Sequence, residues 1–301
     1  MVDPLTEVVT LLRPSAAFSK VVNAAGAWRA RRTEAGRPFY CVLLAGATRL
    51  TVDKHAPIDL RSGDFVLVPS AYQFTMSSIE PLSIDSPDSR PTRLSCGEYR
   101  LGVQEGDADV RLLVGYCAFG SPDATLLVSL LPQLVHVRDE PRLATLVQLV
   151  GEESRTARPA RDVILTRLLE VLLIEALRST AGIAASSGLA RGLADERLGM
   201  AIRCMHEQPD KPWTIAQLAR EAALSRSVFF ERFTRAVGIA PMEYLLSWRM
   251  ALAKDLLRRN AGSVASIAER TGYSSASTFG IAFTRHVGVP PSRYARELSG
   301  Q

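Results

Sequence analysis

The sequence has little cysteine and little histidine, four of each in 301 residues. Cys41, Cys96, Cys117 and Cys204 form no close-spaced pair, so neither a disulfide-stapled scaffold nor a Cys-x-x-Cys metal or redox motif is expected. His55, His136, His206 and His286 stand apart from one another, and each reads as a structural or surface residue rather than a ligand. No metal and no cofactor is expected. Nothing resembles the Gly-x-Ser-x-Gly turn that exposes a nucleophilic serine. No apolar run reaches the ~18 residues of a membrane span, because the longest, Val163 to Leu177, is cut by Arg167, Glu170 and Glu175. The first twenty residues mix Asp3, Glu7 and Arg13 among apolar ones and lack a basic start followed by an apolar core. A cytoplasmic protein without a membrane partner is therefore the expectation.

What is present is globular: 47% hydrophobic and 22% charged residues exclude a disordered or collagen-like chain. The length exceeds what one core usually fills, which favours two domains. Charge is divided unevenly. Residues 195–301 hold 15 Lys and Arg against 10 Asp and Glu, while the earlier residues balance at 21 of each. A neutral front and a basic back place any polyanion partner at the back.

From Phe18 to about Cys117, short apolar runs such as Phe39-Tyr-Cys-Val-Leu-Leu and Phe65-Val-Leu-Val are broken by turns at Gly46, Asp53 and Gly63-Asp64, the pattern of a β-sandwich or barrel. A stretch rich in Ser, Pro and Asp from Ile79 to Thr92 reads as an exposed, mobile connection. Then the period becomes helical, over Leu143 to Arg155 and Val163 to Arg178. In the second helix Leu165, Leu168, Leu169, Leu172, Ile174 and Leu177 cover more than one stripe. Two readings stand: burial wholly within one subunit, or part of that surface against a second copy in a homodimer. Ala181 to Ala194, almost entirely Gly, Ala and Ser, reads as a linker. The expected division is 1–181, linker 182–194, and 195–301.

The basic segment contains an internal repeat. Phe233-Thr-Arg-Ala-Val-Gly-Ile-Ala-Pro returns as Phe283-Thr-Arg-His-Val-Gly-Val-Pro-Pro, and Ser225/Ser275, Phe229/Phe279 and Tyr244/Tyr294 match at the same offset of 50. Upstream the offset is 49, pairing Ala219 with Ala268 and Leu224 with Tyr273, so the second copy has one extra residue in its turn. Each copy reads as helix, tight turn, helix. Thr214 with Gln217 forms a capping box, Ser225 caps the second helix and Gly238 stops it. Phe229, Phe233 and Val237 recur every four residues as a buried face, leaving Ser227, Phe230, Glu231 and Thr234 outward. The second copy repeats this with Phe279, Phe283 and Val287 inward and Ser277, Gly280, Ile281 and Thr284 outward. Between them Pro241 starts a helix running to Arg259, about 27 Å long. A helix-turn-helix lays its second helix in the major groove, whose successive turns recur about every 34 Å, so this spacer suits two readers aimed at adjacent grooves.

Trp213-Thr-Ile-x-x-Leu-Ala, Ser225-Arg-Ser-x-Phe-x-x-Arg-Phe, Gly238-x-x-Pro-x-x-Tyr-Leu, Trp248-Arg-Met-x-x-Ala, Ile267-Ala, Gly272-Tyr and Phe283-x-x-x-x-Gly-Val-x-Pro-x-x-Tyr resemble the DNA-binding domain of AraC/XylS-type transcriptional regulators. By that resemblance Ser227, Phe230, Glu231, Ser277, Gly280 and Ile281 occupy base-contacting positions. The sequence departs from the family where Glu231 and Ile281 replace a frequent Arg. Glutamate accepts from cytosine N4 and phenylalanine touches a thymine methyl. The second helix has little hydrogen-bonding capacity and is expected mainly to position. Arg226, Arg235 and Arg285 are candidates for phosphate contacts, with solvated salt bridges as the other reading.

Gly63-Asp-Phe-Val-Leu-Val-Pro69-Ser-Ala-Tyr-Gln-Phe74 resembles the second cupin motif, with Phe74 where a metal-binding His would stand. No His-x-His lies between Phe39 and Gly46. The resemblance implies a cupin-like β-barrel sensor without the metal site, a helical dimerisation segment and an all-α domain with two helix-turn-helix motifs. A barrel lined by Trp28, Phe39, Cys41, Leu43, Phe65, Leu67, Tyr72 or Phe74 suits a small apolar or aromatic effector, although the same residues make an ordinary core. Trp28, Phe39, Cys41, Tyr72 and Phe74 are the effector candidates. The function expected is effector-controlled, sequence-specific binding of double-stranded promoter DNA by a non-enzyme, with RNA polymerase as a partner if it activates. The alternatives are an architectural DNA binder and a DNA-tethered cupin enzyme.

Overall fold

The computed structural model describes residues 3–299 apart from 33–37, 54, 70–72, 81, 84, 95–97, 121–126, 129–130, 156–157 and 180–187. The chain divides into two compact units, one of Arg13–Gly120 with Pro132–Ser186, the other of Met1–Leu12, Ser121–Leu131 and Ser187–Gln301.

The first unit is built from β1 (Pro14–Ala25), β2 (Arg29–Arg32), β3 (Phe39–Ala45), β4 (Ala47–Val52), β5 (Ile58–Arg61), β6 (Phe65–Val68), β7 (Phe74–Ser77), β8 (Thr92–Arg93), β9 (Tyr99–Gly102), β10 (Val110–Phe119) and β11 (Val135–Val137). Seven strands form one sheet in the order β11-β6-β3-β10-β1-β9-β8 and four form another in the order β2-β7-β4-β5. All pairs are antiparallel except β1 with β9. The expected barrel is thus two facing sheets, a cupin-like sandwich not closed edge to edge. Between them lies one core, with Val22, Cys41, Leu43, Val66 and Leu112 from the large sheet meeting Leu50, Leu60, Phe74 and Met76 from the small.

Helices α2 (Pro141–Arg155) and α3 (Arg161–Ser179) pack on the large sheet, α2 against β1, β3 and β10 and α3 against β1 and β11. This covers the sheet on both faces and explains why β3 is buried at Phe39, Tyr40, Cys41, Val42 and Leu43 in succession, since a strand covered on both sides needs no polar alternation. It also corrects the expected lining. Phe65 and Leu67 lie outside the inter-sheet core, and Val66 and Val68 are its members on β6, because successive side chains point to opposite faces. Gly115 is required where Tyr40 crosses β10, since a Cβ there would lie 2.1 Å from the ring. The described residues of the Ser/Pro/Asp-rich segment are exposed or half-buried, as expected, and two bonds tie it to β2: Arg29 Nε donates to Asp88 at 2.7 Å, and the backbone N–H of Ser89 donates to the Arg29 carbonyl at 2.7 Å.

The second unit contains α1 (Pro4–Leu12), α4 (Leu189–Ala194), α5 (Glu196–Glu207), α6 (Ile215–Glu221), α7 (Arg226–Val237), α8 (Pro241–Arg258), α9 (Val264–Arg270), α10 (Ala276–Val287) and α11 (Pro291–Ser299). Two of its segments were expected elsewhere. Leu189–Ala194, placed in the linker, is a helix whose Gly192 sits so close that a Cβ would lie 2.7 Å from Val237 and 2.8 Å from Ile202. Small residues here serve close packing rather than flexibility. The first helix, placed with the sensor, buries Val8 and Leu12 completely and packs on α5. Asp3 starts it, accepting from the Leu5 N–H and the Thr6 hydroxyl, with Pro4 at the first turn, where its missing N–H is no loss.

Candidate nucleic-acid interface and ligand cavity

Each helix-turn-helix is organised from its buried side. In the first, Phe229 and Phe233 are fully buried with centroids 5.6 Å apart, and Phe233 meets Tyr244 edge-on at 5.7 Å. In the second, Phe279 and Phe283 lie 5.4 Å apart and Phe283 meets Tyr294 edge-on at 5.5 Å. Val237 is buried and Val287 half-buried. The caps are local. Thr214 and Gln217 form the reciprocal capping box, Ser225 accepts from the Val228 N–H and Ser275 from the Thr278 N–H. Gly238 and Gly288 end their helices at φ 95° and 88°, a conformation that costs glycine nothing.

The turns also correspond. Ala223 at φ 51° and Gly272 at φ 80° are left-handed residues 49 apart, and each is followed by the same bond: Leu224 N–H to the Ala219 carbonyl, Tyr273 N–H to the Ala268 carbonyl, both 2.9 Å. The extra residue of the second copy is therefore Ser274, after the turn.

With the phenylalanines inward, Ser227, Phe230 and Glu231 of α7 and Ser277 and Ile281 of α10 are exposed, and Gly280 is half-buried. Phe230 is 45% and Ile281 69% exposed, so both apolar side chains are open to contact from outside. Thr234 and Thr284, expected on the same face, are half-buried; the Thr284 hydroxyl donates to the Gly280 carbonyl at 2.7 Å. Arg226, Arg235 and Arg285 are exposed and pair with no carboxylate among the described residues. By contrast Arg232 is held by Asp195. Arg249 of α8 joins the two halves: its Nε donates to the Pro209 carbonyl at 2.7 Å and its Nη2 to the Lys211 carbonyl at 2.8 Å. The same guanidinium crowds Gly272, where a Cβ would lie 2.5 Å from it.

A buried polar chain, not foreseen, lies under the first half. His206 Nδ1 is 2.7 Å from Glu7 Oε2, and Nε2 is 2.7 Å from the Tyr244 hydroxyl, while the ring stacks on Trp248 at 4.0 Å. Burial pushes the His206 pKa down, with Glu7 opposing. A neutral ring satisfies every group: Nδ1–H donates to the carboxylate and the tyrosine O–H donates to Nε2. No local signal could have paired residues 199 positions apart.

The sensor unit holds a small cavity that is partly open to solvent. Trp28, Phe39 and Phe74 line it. Cys41 belongs to the surrounding core without lining the cavity, its thiol pushed up to about 12 by burial. Tyr72 lies outside the described residues. Lining residues not foreseen include Lys20, Arg32, Met76 and Tyr116; each follows from strand pairing that a linear reading does not supply. Among the described residues no group of three His, Cys, Asp or Glu side chains converges to hold a metal ion, and no helix is long and apolar enough to cross a membrane.

Comparison with known proteins decides the family. A cupin family model matches residues 3–182 and a helix-turn-helix domain model residues 218–297. An AraC-like transcription regulator of Streptomyces lividans is 36% identical over 98% of both chains, and one of Streptomyces antibioticus is 34% identical over 98% of both. The chain belongs to the AraC-like transcription regulators. The RCS-specific activator RclR of Escherichia coli is 27% identical over 85% of this chain and 83% of its own. This regulator is accordingly a DNA-binding transcription factor rather than an enzyme, with a cupin-like domain in front of its reader.

Proposed function

We propose that this regulator reads double-stranded promoter DNA through the outward faces of α7 and α10, in the cytoplasm, under the control of a small molecule held in the cavity of its sensor unit. The observation that carries this reading is the repeated reading helix: two equivalent helices, each fixed from below by two phenylalanines, each leaving its opposite face and its terminal arginine unpartnered. Ser227, Phe230 and Glu231 are assigned to base edges in the first half, Ser277, Gly280 and Ile281 to the second, and Arg226, Arg235 and Arg285 to phosphates. An effector acts by favouring one arrangement of sensor and reader over another. RNA polymerase is a further partner where the regulator activates. The regulator works as a homodimer through the solvent face of α3, where Val163, Ile164 and Val171 are exposed beside Leu149 of α2; a monomer at micromolar concentration by light scattering would remove that element.

The test is binding of the full chain to its own upstream DNA against scrambled DNA at about 150 mM salt, where non-specific contacts are weakened. A preference of about a thousandfold or more, the low end for specific readers, supports the reading. Equal affinity for both would make the protein an architectural DNA binder instead.

A further inference from the structure

We propose that Gly280 is the point at which α10 lies against DNA with its backbone instead of a side chain, a gap that the nucleic acid itself fills; this rests on the reading of the outward face of α10 as a DNA contact and says how that face makes it. Glycine inside a helix shifts the folding equilibrium toward the unfolded chain by about two- to fivefold relative to alanine, so its presence there asks for a cause. Among the described residues four glycines lie inside helices, and three have their cause within the fold. A Cβ at Gly192 would lie 2.7 Å from Val237, one at Gly199 3.0 Å from the Leu193 carbonyl oxygen, and one at Gly151 3.3 Å from Leu113. At Gly280 a Cβ would meet nothing within 4 Å. Nor does the backbone need glycine at this position, because α10 runs unbroken from Ala276 to Val287 and Gly280 is not among the residues of positive φ.

The surroundings keep the gap open and turn it outward. Thr284, one turn on, is half-buried and folds its hydroxyl back onto the Gly280 carbonyl at 2.7 Å. Ser277, one turn before, is small and exposed, and Ile281 beside the gap is 69% exposed. In the first half the equivalent position holds Phe230, 45% exposed, so one frame carries a projection on α7 and a hollow on α10. A missing side chain lets a backbone approach its ligand closely. It supplies no hydrogen bond, so the hollow sets how deep α10 sits in the groove rather than which base it faces.

The experiment makes Gly280→Ala and Gly280→Leu in the full chain, both introducing strong helix formers. Urea unfolding is measured beside binding, at about 150 mM salt, to two duplexes: one that the unmodified chain selects from a random pool, and a scrambled one. Gly280→Ala is expected to favour the folded state by about two- to fivefold and yet to weaken the selected duplex about tenfold. Gly280→Leu is expected to weaken it further, with the scrambled duplex nearly unaffected by either, since phosphate contacts alone hold the protein there. A variant that folds more stably and binds the selected duplex as tightly as the unmodified chain would overturn the proposal while leaving α10 as a DNA contact, and so would an equal loss on both duplexes. A loss of stability in Gly280→Ala would show that the glycine serves the fold, and would overturn it as well. If the unmodified chain selects no duplex, the reading of α10 and the proposal fall together.

Discussion

The two halves of the reader share a frame and differ in what they put on it. Capping serines, phenylalanine pairs, edge-on tyrosines and left-handed turns recur in register. Yet α7 presents Phe230 and Glu231 where α10 presents Gly280 and Ile281. Duplicated packing with diverged surface is what division of labour between two helices requires. On the proposed reading the first helix, with hydrogen-bonding capacity and a large apolar contact, is expected to carry most of the base discrimination; the second, with neither donor nor acceptor at positions 280 and 281, is expected to add little of it at its base edges. The polar supports differ too. Tyr244 is bonded to a buried histidine, whereas Tyr294 has the Lys254 ammonium 5.8 Å from its ring.

If the frames are equivalent, Phe233→Ala and Phe283→Ala should cost about the same, roughly 3–5 kcal/mol each. Urea unfolding followed by hydrogen exchange within each half measures this. A large inequality would show that one half is a scaffold for the other rather than its copy.

The surfaces should then separate. Glu231→Ala is expected to change base preference at one position by about 1–3 kcal/mol, while Ile281→Ala leaves the preferred sequence in place. Arg235→Ala and Arg285→Ala should instead weaken binding to all sequences and lower the salt slope by about one each. Selection of binding sites from a random pool, repeated at several salt concentrations, distinguishes the two kinds of effect. A changed preference from Ile281→Ala would return the second helix to the role of reader.

Much of this frame was legible because its determinants are local. A Thr214-Gln217 box, a serine before a helix and a glycine after it act within one turn of backbone, and phenylalanines four apart declare their own inward face. Legibility ended where the determinant was long-range or the pattern uniform. The run Phe65-Val-Leu-Val is apolar throughout, so nothing in it says that Val66 rather than Phe65 points between the sheets. Arg32 and Lys20 reach one cavity only through strand pairing. Leu189–Ala194 looked like a linker because small residues serve flexibility and close packing alike. The helix start at Asp3-Pro4 went unread, and the partner of Glu7 lay 199 positions along the chain.

The histidine makes the first half the pH-sensitive one. Burial lowers the His206 pKa below the ordinary 6.5, so the unfolded chain binds the proton more readily than the folded one. That stabilisation is complete above about pH 6.5 and is lost as the pH falls toward the depressed folded value. Hydrogen exchange at about pH 7.5 and 5.5 should therefore show α5 to α7 losing protection in acid while α9 and α10 keep theirs, and His206→Gln should flatten the difference. Equal loss in both halves would mean that some other group titrates.

The smallest effect belongs to the turns. Ala223 adopts φ 51° where Gly272 has φ 80° at the equivalent position. A Cβ in the left-handed region costs about 1–2 kcal/mol, and glycine returns part of that through its freer unfolded chain, about 0.4–1 kcal/mol. Ala223→Gly should accordingly stabilise the first half by about 0.5 kcal/mol, near the detection limit of a thermal melt but within reach of hydrogen exchange. A loss of stability instead would show that the alanine methyl contributes packing at this turn, and that the two turns, alike in backbone, are held by different means.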